Sequence, residues 1–280
     1  MEALGVSEVH DVRSLAFGVT SDLRLIEADG TPLVFRRYET DEIVDVHPRI
    51  IEHEALALAA ARPILGAVVP EPIATDPSGA RAGRPSLLMT FLPGNPVVHG
   101  LDSRQLALPL AHLHASEPGV DLPRYQHWFA PEKVAIPAWT TKPEAWSNLM
   151  SLVRESEPDE PHVFLHRDFH PGNLLWQRGK LSGVVDWPFS CRGPRGLDVA
   201  HTRGNLALVD DAAAASRFLA AYRDLVPAYT HNSWWDAADL FSWDGGFAGV
   251  LAFNAFGANL NIELLRSRAD AWAEVVADAL

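Results

Sequence analysis

The sequence predicts an α+β fold in two parts, a small antiparallel β-sheet lobe followed by a larger, mainly helical lobe. Three observations predict it. Apolar and polar residues alternate through the N-terminal third, with a hairpin signal at Ala28-Asp29-Gly30-Thr31. Past Pro93-Gly94 the apolar residues change to helical spacing. The 280 residues are 48% hydrophobic and 21% charged, enough apolar material for a sizeable core and unlike a disordered or disulfide-stapled chain.

Each element follows in order. Leu23, Leu25 and Glu27 alternate with Asp22, Arg24 and Ile26, a strand entered from a Gly/Thr/Ser turn. Residues 33–38 form the returning strand. Residues 49–62 are rich in Ala, Leu, Ile and Glu and predict a helix stopped by Pro63. Residues 68–72 are extended, Asp76-Pro77-Ser78-Gly79 is a turn, and 85–92 is an uncharged strand ending at Pro93-Gly94. Helical spacing then marks 105–114, 146–155, 212–225 and 260–280, with a strand-loop-strand region at 163–187 between them. The expected division is 1–93 for the β-rich part and 94–280 for the helical part.

Charge excludes several functions. Lys and Arg total 23 against 36 Asp and Glu, a formal net charge of −13, which opposes binding to nucleic-acid phosphates or anionic lipid. The single cysteine, Cys191, can form neither an internal disulfide nor a Cys-based zinc site, and a reducing cytoplasm is the expected compartment. The first eight residues carry acid and no apolar run, so no signal peptide is expected. The charge-free stretch 245–262 holds three Asn and four Gly and predicts a buried helical region rather than a membrane span. Oligomeric state is not legible.

The chemistry concentrates in Val163-Phe164-Leu165-His166-Arg167-Asp168-Phe169-His170-Pro171-Gly172-Asn173 and in Val184-Val185-Asp186-Trp187. An apolar strand presents Asp168 just past its end, Asn173 follows five positions later, and a second strand brings in Asp186. One carboxylate is placed as a base. An amide oxygen and a second carboxylate are suited to a hard cation such as magnesium, which takes oxygen ligands and keeps waters and phosphates in its other positions. The spacing is similar to the kinase pattern H-R-D, four residues, N, then a metal-binding Asp. Asp186-Trp187-Pro188 replaces D-F-G and no A-P-E follows, which argues against a protein kinase. Phosphoryl transfer also needs a strand cation and a helix carboxylate to hold it. No Lys occurs before Lys133, so Arg36 is the candidate cation, sharing a strand face with Val34; Glu52 and Glu54 are its candidate partners, and Glu54, leading into an apolar run, is preferred.

On these motifs the chain resembles the aminoglycoside phosphotransferase family of small-molecule kinases, from about Gly18 to past Asp198. The resemblance implies a two-lobed protein-kinase-like fold and an ATP or GTP donor, with transfer of its γ-phosphate to a hydroxyl of a small molecule. It implies Asp168 as catalytic base, and Asn173 and Asp186 as ligands of Mg2+. Arg36 matches a phosphate-contacting Arg, Ser21 a phosphate contact, and the backbone of Thr90 and Leu92 a hinge that bonds the purine edge. Asp198 matches a residue bracing the catalytic loop. The chain departs from the family at Arg167, where many members have Gly, and in the loop Phe17-Gly18-Val19-Thr20-Ser21-Asp22, which has one Gly.

Other readings stand beside this one. His166, Asp168, His170, Asp186 and His201 form a candidate His/Asp metallohydrolase site. A nucleotide-binding protein without transfer activity is a third reading. His166 and His170 otherwise read as hydrogen-bonding loop residues, and His112 and His114 as packing or surface residues. Trp234-Trp235-Asp236 and Trp243-Asp244 lie in an acidic C-terminal region and suit either a cationic acceptor or a buried core. The expected partners are nucleotide and a small molecule, with no nucleic acid and no membrane; aminoglycosides, macrolides and metabolites all stay open as acceptors.

Overall fold

The computed structural model describes residues 9–15, 21–243 and 247–280. Residues 1–8, the expected nucleotide-loop residues Phe17, Gly18, Val19 and Thr20, and Asp244 beside Trp243 lie outside the described residues. In chain order the first elements are β1 (Val9–Ser14), β2 (Ser21–Ala28), β3 (Thr31–Tyr38), α1 (Asp41–Val46), α2 (Ile50–Leu65), β4 (Pro72–Asp76), β5 (Ser86–Thr90) and β6 (Asn95–Pro96). Next come α3 (Ser103–His114), α4 (Pro143–Val153), β7 (His162–Leu165), β8 (Leu174–Gln177), β9 (Lys180–Val184) and β10 (Cys191–Pro194). The chain closes with α5 (Gly196–Val209), α6 (Ala212–Leu225), α7 (Ser233–Ser242), α8 (Ala248–Leu251) and α9 (Ile262–Ala277).

The chain forms two compact units. The first combines residues 1–95 with 118–122 and 175–190. Its antiparallel sheet has the order β1-β2-β3-β5-β4. Ala28 pairs with Thr31, leaving Asp29 and Gly30 at the tip with φ of 47° and 77°. Two successive left-handed residues make the type I′ turn that matches strand twist, which is why Asp-Gly signals a hairpin. Ile26, Ala28, Leu33 and Leu88 form a small core under the sheet. β3 lies between β2 and β5, with Arg36 paired to Leu23 on one side and Leu87 on the other.

Pro63 does not stop the second helix, contrary to the sequence expectation. α2 runs to Leu65 with Pro63 inside its last turn, and Gly66 ends it at φ 74°. A proline's own φ is helical, and its cost is one lost hydrogen bond to the preceding turn. Glycine, free of a Cβ, takes the left-handed exit that stops the helix.

Residues 175–190 join this unit through specific contacts. The Trp187 N–H bonds to Glu54, and His53 bonds to the backbone of Pro188 and Ser190. Ser182 Oγ donates to the Pro93 carbonyl at 2.6 Å. Gly94, at φ 131°, lies so close to this hairpin that a Cβ would meet Ser182 Oγ at 2.4 Å and the Trp176 carbonyl oxygen at 2.9 Å.

The second unit comprises residues 96–117, 123–174 and 191–280. β7 and β10 pair antiparallel, Leu165 opposite Cys191. α5 is buried at every residue and packs against α6, α7 and α9. Its polar residues Asp198, His201, Thr202, Arg203 and Asn205 are buried with the apolar ones, so no solvent-facing polar side marks α5 and helical periodicity does not reveal it. α6 occupies the expected span and is capped by Asp211, whose side chain accepts the Ala214 N–H. The charge-free stretch becomes the short α8 and a 3-10 turn at 252–256. Among the described residues no helix is long and apolar enough to cross a membrane. Trp234, Trp235 and Asp236 are buried on α7, with Asp236 paired to Arg203 and to His231 Nε2 at 2.7 Å. These three residues therefore belong to the core.

Candidate active site

In the first unit the structure gathers Ser21, Arg36, Glu54 and Asp186. Arg36 points into the interior from β3 and is 4% exposed. Its Nε donates to Ser21 Oγ at 3.0 Å, one terminal nitrogen to Glu54 Oε1 at 2.5 Å, and the other to Asp186 Oδ1 at 2.5 Å. The fork of a guanidinium reaches three partners in one plane, which an ammonium on a flexible stem does not. Burial opposes the charge of Arg36, but Asp186 and Glu54 outweigh it and hold the guanidinium well above its ordinary pKa. Burial also raises the pKa of Glu54, against the pull of Arg36. Tyr38 lies beside this pair, its hydroxyl 3.4 Å from Glu54 Oε2 and its ring 5.1 Å from the guanidinium carbon. Glu54, and not Glu52, is the partner of Arg36.

Asp186 reaches this cluster from just beyond β9, at φ 68°, a left-handed turn that is uncommon for a residue with a Cβ. At the end of β5, Thr90 donates its N–H to the Glu71 carbonyl at 3.0 Å and accepts the Glu71 N–H on Oγ1 at 2.8 Å. Leu92 follows in irregular chain and is partly buried.

In the second unit the chain turns sharply after β7. Asp198, in the first turn of α5, accepts the His166 N–H on Oδ2 at 2.9 Å and the Arg167 N–H on Oδ1 at 2.8 Å. His114 adds a contact to Oδ2 at 3.2 Å and touches the Tyr222 hydroxyl at 2.6 Å. Burial opposes the charge of Asp198, but these partners, His114 foremost, hold its pKa below the usual carboxylate value. Arg167 has φ 76°, so the position that many family members give to Gly is a left-handed one. Its guanidinium lies 3.8 Å from the centre of the Trp128 ring and donates to the Gln126 carbonyl at 3.1 Å.

This turn presents Asp168. Asn173 Nδ2 donates to the Asp168 carbonyl at 2.9 Å and to Oδ2 at 3.1 Å. His201 Nε2 meets Oδ1 at 3.1 Å, and its Nδ1 meets Asp239 Oδ1 at 2.9 Å. Burial opposes the charge of Asp168, but His170 and then His201 hold its pKa well below the usual range. For His201 burial acts against the charged ring, while Asp239 and Asp168 push its pKa up to about 9.

Asp168, His170 and His201, three of the five residues in the metallohydrolase reading, each bring one ligand atom within 4.8 Å of the others. Hydrogen bonding argues against a transition metal there. His170 Nδ1 accepts the Gly172 N–H at 3.1 Å, and its Nε2 lies 3.5 Å from Asp168 Oδ1 and 3.2 Å from Asn173 Nδ2, so both ring nitrogens already have partners. Both nitrogens of His201 already face carboxylates.

His114, Asp239 and Trp128 escape the sequence reading. His114 had a signal: it follows Leu106 and Leu110 at four-residue steps, on the buried stripe of α3. Asp239 and Trp128 had none.

An antiparallel sheet with a buried strand cation in one unit, and a braced His-Arg-Asp turn in the helical other, define a protein-kinase-like α+β fold. The chain belongs to the phosphotransferase enzyme family, APH, whose pattern it matches over residues 11–234. Among curated relatives, homoserine kinase of Bradyrhizobium sp. (strain BTAi1 / ATCC BAA-1182) is 27% identical over 220 residues, covering 71% of this chain and 64% of that protein. Homoserine kinase of Gluconobacter oxydans (strain 621H) is 28% identical over 161 residues, covering 50% and 49%. The matches thus span between about half and just under two thirds of these relatives' lengths. Among solved structures, macrolide 2'-phosphotransferase MphH from Brachybacterium faecium aligns with a TM-score of 0.58 at 18% identity, covering 97% of this chain and 95% of that one. A thermostable mutant of aminoglycoside phosphotransferase APH(4)-Ia, in ternary complex with ADP and hygromycin B, aligns with a TM-score of 0.62 at 14% identity, covering 98% and 96%. At such identities the likeness is one of fold.

Proposed function

We propose that this protein transfers the γ-phosphate of ATP to a hydroxyl of a small molecule. The observation that carries the reading is the setting of Asp168: a carboxylate held ionised at the end of a braced turn, with Asn173 bonded to its backbone and its side chain. Asp168 orients the acceptor hydroxyl and takes its proton as the new P–O bond forms and the bond to the departing nucleoside diphosphate breaks. Phosphoryl transfer has a loose transition state, so aim and charge neutralisation matter more than base strength. A weakly basic, firmly held carboxylate suits that demand.

Arg36 neutralises phosphate charge, with Glu54 and Ser21 fixing its direction. The Thr90 carbonyl and the Leu92 N–H are the hinge groups proposed for the purine, since the Thr90 N–H is already given to Glu71. Each of the two proposed ligands has an oxygen suited to magnesium. Asn173 spends its Nδ2 on Asp168, which leaves its amide oxygen for a cation, and Asp186 offers a carboxylate oxygen besides the one on Arg36. A magnesium ion held by these proposed ligands would neutralise charge on the nucleotide phosphates.

For the acceptor, the curated relatives suggest a compact amino alcohol such as homoserine, and the structural neighbours an aminoglycoside or macrolide. The test is a panel of homoserine, hygromycin B, other aminoglycosides and macrolides with ATP and magnesium, read by ADP release and by 31P NMR of the product. A new phosphate monoester on one acceptor supports the proposal. Zinc retained through purification together with hydrolysis that needs no nucleotide refutes it.

A further inference from the structure

We propose that His201 is a positioning residue: clamped between Asp168 and Asp239, it aims the Asp168 carboxylate at the acceptor hydroxyl. The proposal rests on the phosphotransfer reading above. The geometry comes first. The ring of His201 spans two carboxylates, Asp168 in the loop after β7 and Asp239 on α7, at 3.1 and 2.9 Å. A ring that donates to both carboxylates must carry a proton on each nitrogen, so the bridge requires an imidazolium; Asn205 Nδ2 also stands 3.3 Å from Nε2. A neutral imidazole can serve only one of the two. Asp168 Oδ1 is then held by His201 and Oδ2 by Asn173. With both oxygens fixed the carboxylate cannot rotate about its last bond; His170 Nε2 also faces Oδ1 at 3.5 Å, so Oδ2 is the oxygen left with a lone pair for the acceptor proton.

The surroundings look built for this clamp. The edge of the Trp128 ring packs against His201, with centroids 5.3 Å apart, and Arg167 covers that same ring. His170 faces His201 at 5.8 Å between ring centroids. Asn205, one turn on along α5, donates to the His201 carbonyl at 2.9 Å. Gly204 lies in the interior of α5, where glycine costs about 1 kcal/mol relative to alanine. A Cβ there would meet Asp239 Oδ2 at 2.3 Å. The missing Cβ is what lets Asp239 come close enough to α5 to bond His201. The charged and titratable groups facing the ring are therefore Asp168, Asp239 and His170, with Arg167 beyond Trp128. The shift of His201 to about 9 agrees with an imidazolium at neutral pH.

The experiment has two arms on the full chain. In the first, 15N NMR of the imidazoles is followed from about pH 6 to about pH 10. Both His201 nitrogens should stay protonated at neutral pH, and Asp239→Asn should lower that titration by about one unit or more. In the second, ADP release from ATP and magnesium is measured with water as acceptor. His201→Ala should lower kcat by about tenfold to a hundredfold with the KM for ATP changed less than about twofold, and added imidazole should restore part of the loss. Asp239→Asn, which keeps shape and one acceptor, should fall between His201→Ala and the native chain; it carries the kinetic test if His201→Ala does not fold. A neutral His201 ring at pH 7 overturns the clamp, and so does a kcat for the alanine variant within about twofold of native. A native chain that turns over no ATP with water or with any acceptor of the panel refutes the phosphotransfer reading instead, and the NMR arm then still decides whether the imidazolium bridge exists.

Discussion

The Arg36 cluster and the Asp168 cluster solve one electrostatic problem with opposite signs. In the first unit a buried cation is surrounded by two carboxylates, Glu54 and Asp186. In the second a carboxylate is held by an imidazole, which is held in turn by a second carboxylate. Burial penalises the charges of Arg36, Glu54, Asp168 and His201, and alternation of sign offsets the penalty in both places. The clusters differ in exposure. The side chains of Arg36 and Glu54 are 5% and 1% exposed, whereas Asp168 is 21% exposed. The first cluster encloses Arg36 and Glu54 and opens only at Asp186, 31% exposed, and the second keeps one face of the Asp168 carboxylate open. A charge that neutralises needs only to be in place; a charge that accepts a proton must also be reachable.

Substitutions at the two centres should break this comparison in different ways. The largest effect is expected at the open one: Asp168→Asn should lower kcat by about a thousandfold while isothermal calorimetry finds ATP binding within about threefold of native. The enclosed centre should respond in stability. Arg36→Met leaves Glu54 and Asp186 without their cation and should cost about 3–5 kcal/mol, read from the urea midpoint. Arg36→Lys should recover part of that, since an ammonium cannot serve three partners at once.

A pH series sharpens the contrast. His201 has its pKa raised, so its contribution to stability is complete below the unfolded value of about 6.5. That contribution is lost as pH rises through about 9. Asp168 and Asp198 have depressed values, so their contributions are present above the unfolded value of about 3.9 and are lost as pH falls through the lower folded values. Melting temperature should therefore decline between about pH 6.5 and pH 9, and His201→Gln should flatten that slope. The smallest effect is expected at the turn itself. Arg167→Gly relieves a left-handed arginine but forfeits its stacking on Trp128, and the two should nearly cancel, within about 1 kcal/mol in thermal melts.

Much of the site was legible because its parts are local. His166, Arg167, Asp168 and Asn173 lie within one turn of chain, and strand alternation put Arg36 and Val34 on a common face. The preference for Glu54 over Glu52 rested only on the apolar run that follows, which marks the buried face of α2. The helix stop at Pro63 failed because the signal concerns one hydrogen bond, whereas Gly66 governs where the chain exits. α5 escaped because burial of its polar residues hides the helix face, and with it went the contacts of His201 with Asp168 and Asp239. The aromatic residues Trp234 and Trp235 carried no cue to separate a binding surface from a core.

From residue order alone came the hairpin at Asp29-Gly30, the cation on β3 and the acid and amide of the His-Arg-Asp turn, since backbone preference and short-range spacing encode them. Tertiary packing alone decided that Asp186 meets Arg36, 150 positions away, and that Asp239 reaches His201 through the space left by Gly204. Such partnerships bridge long stretches of chain, and nothing in either residue's own neighbourhood reports what will be folded against it.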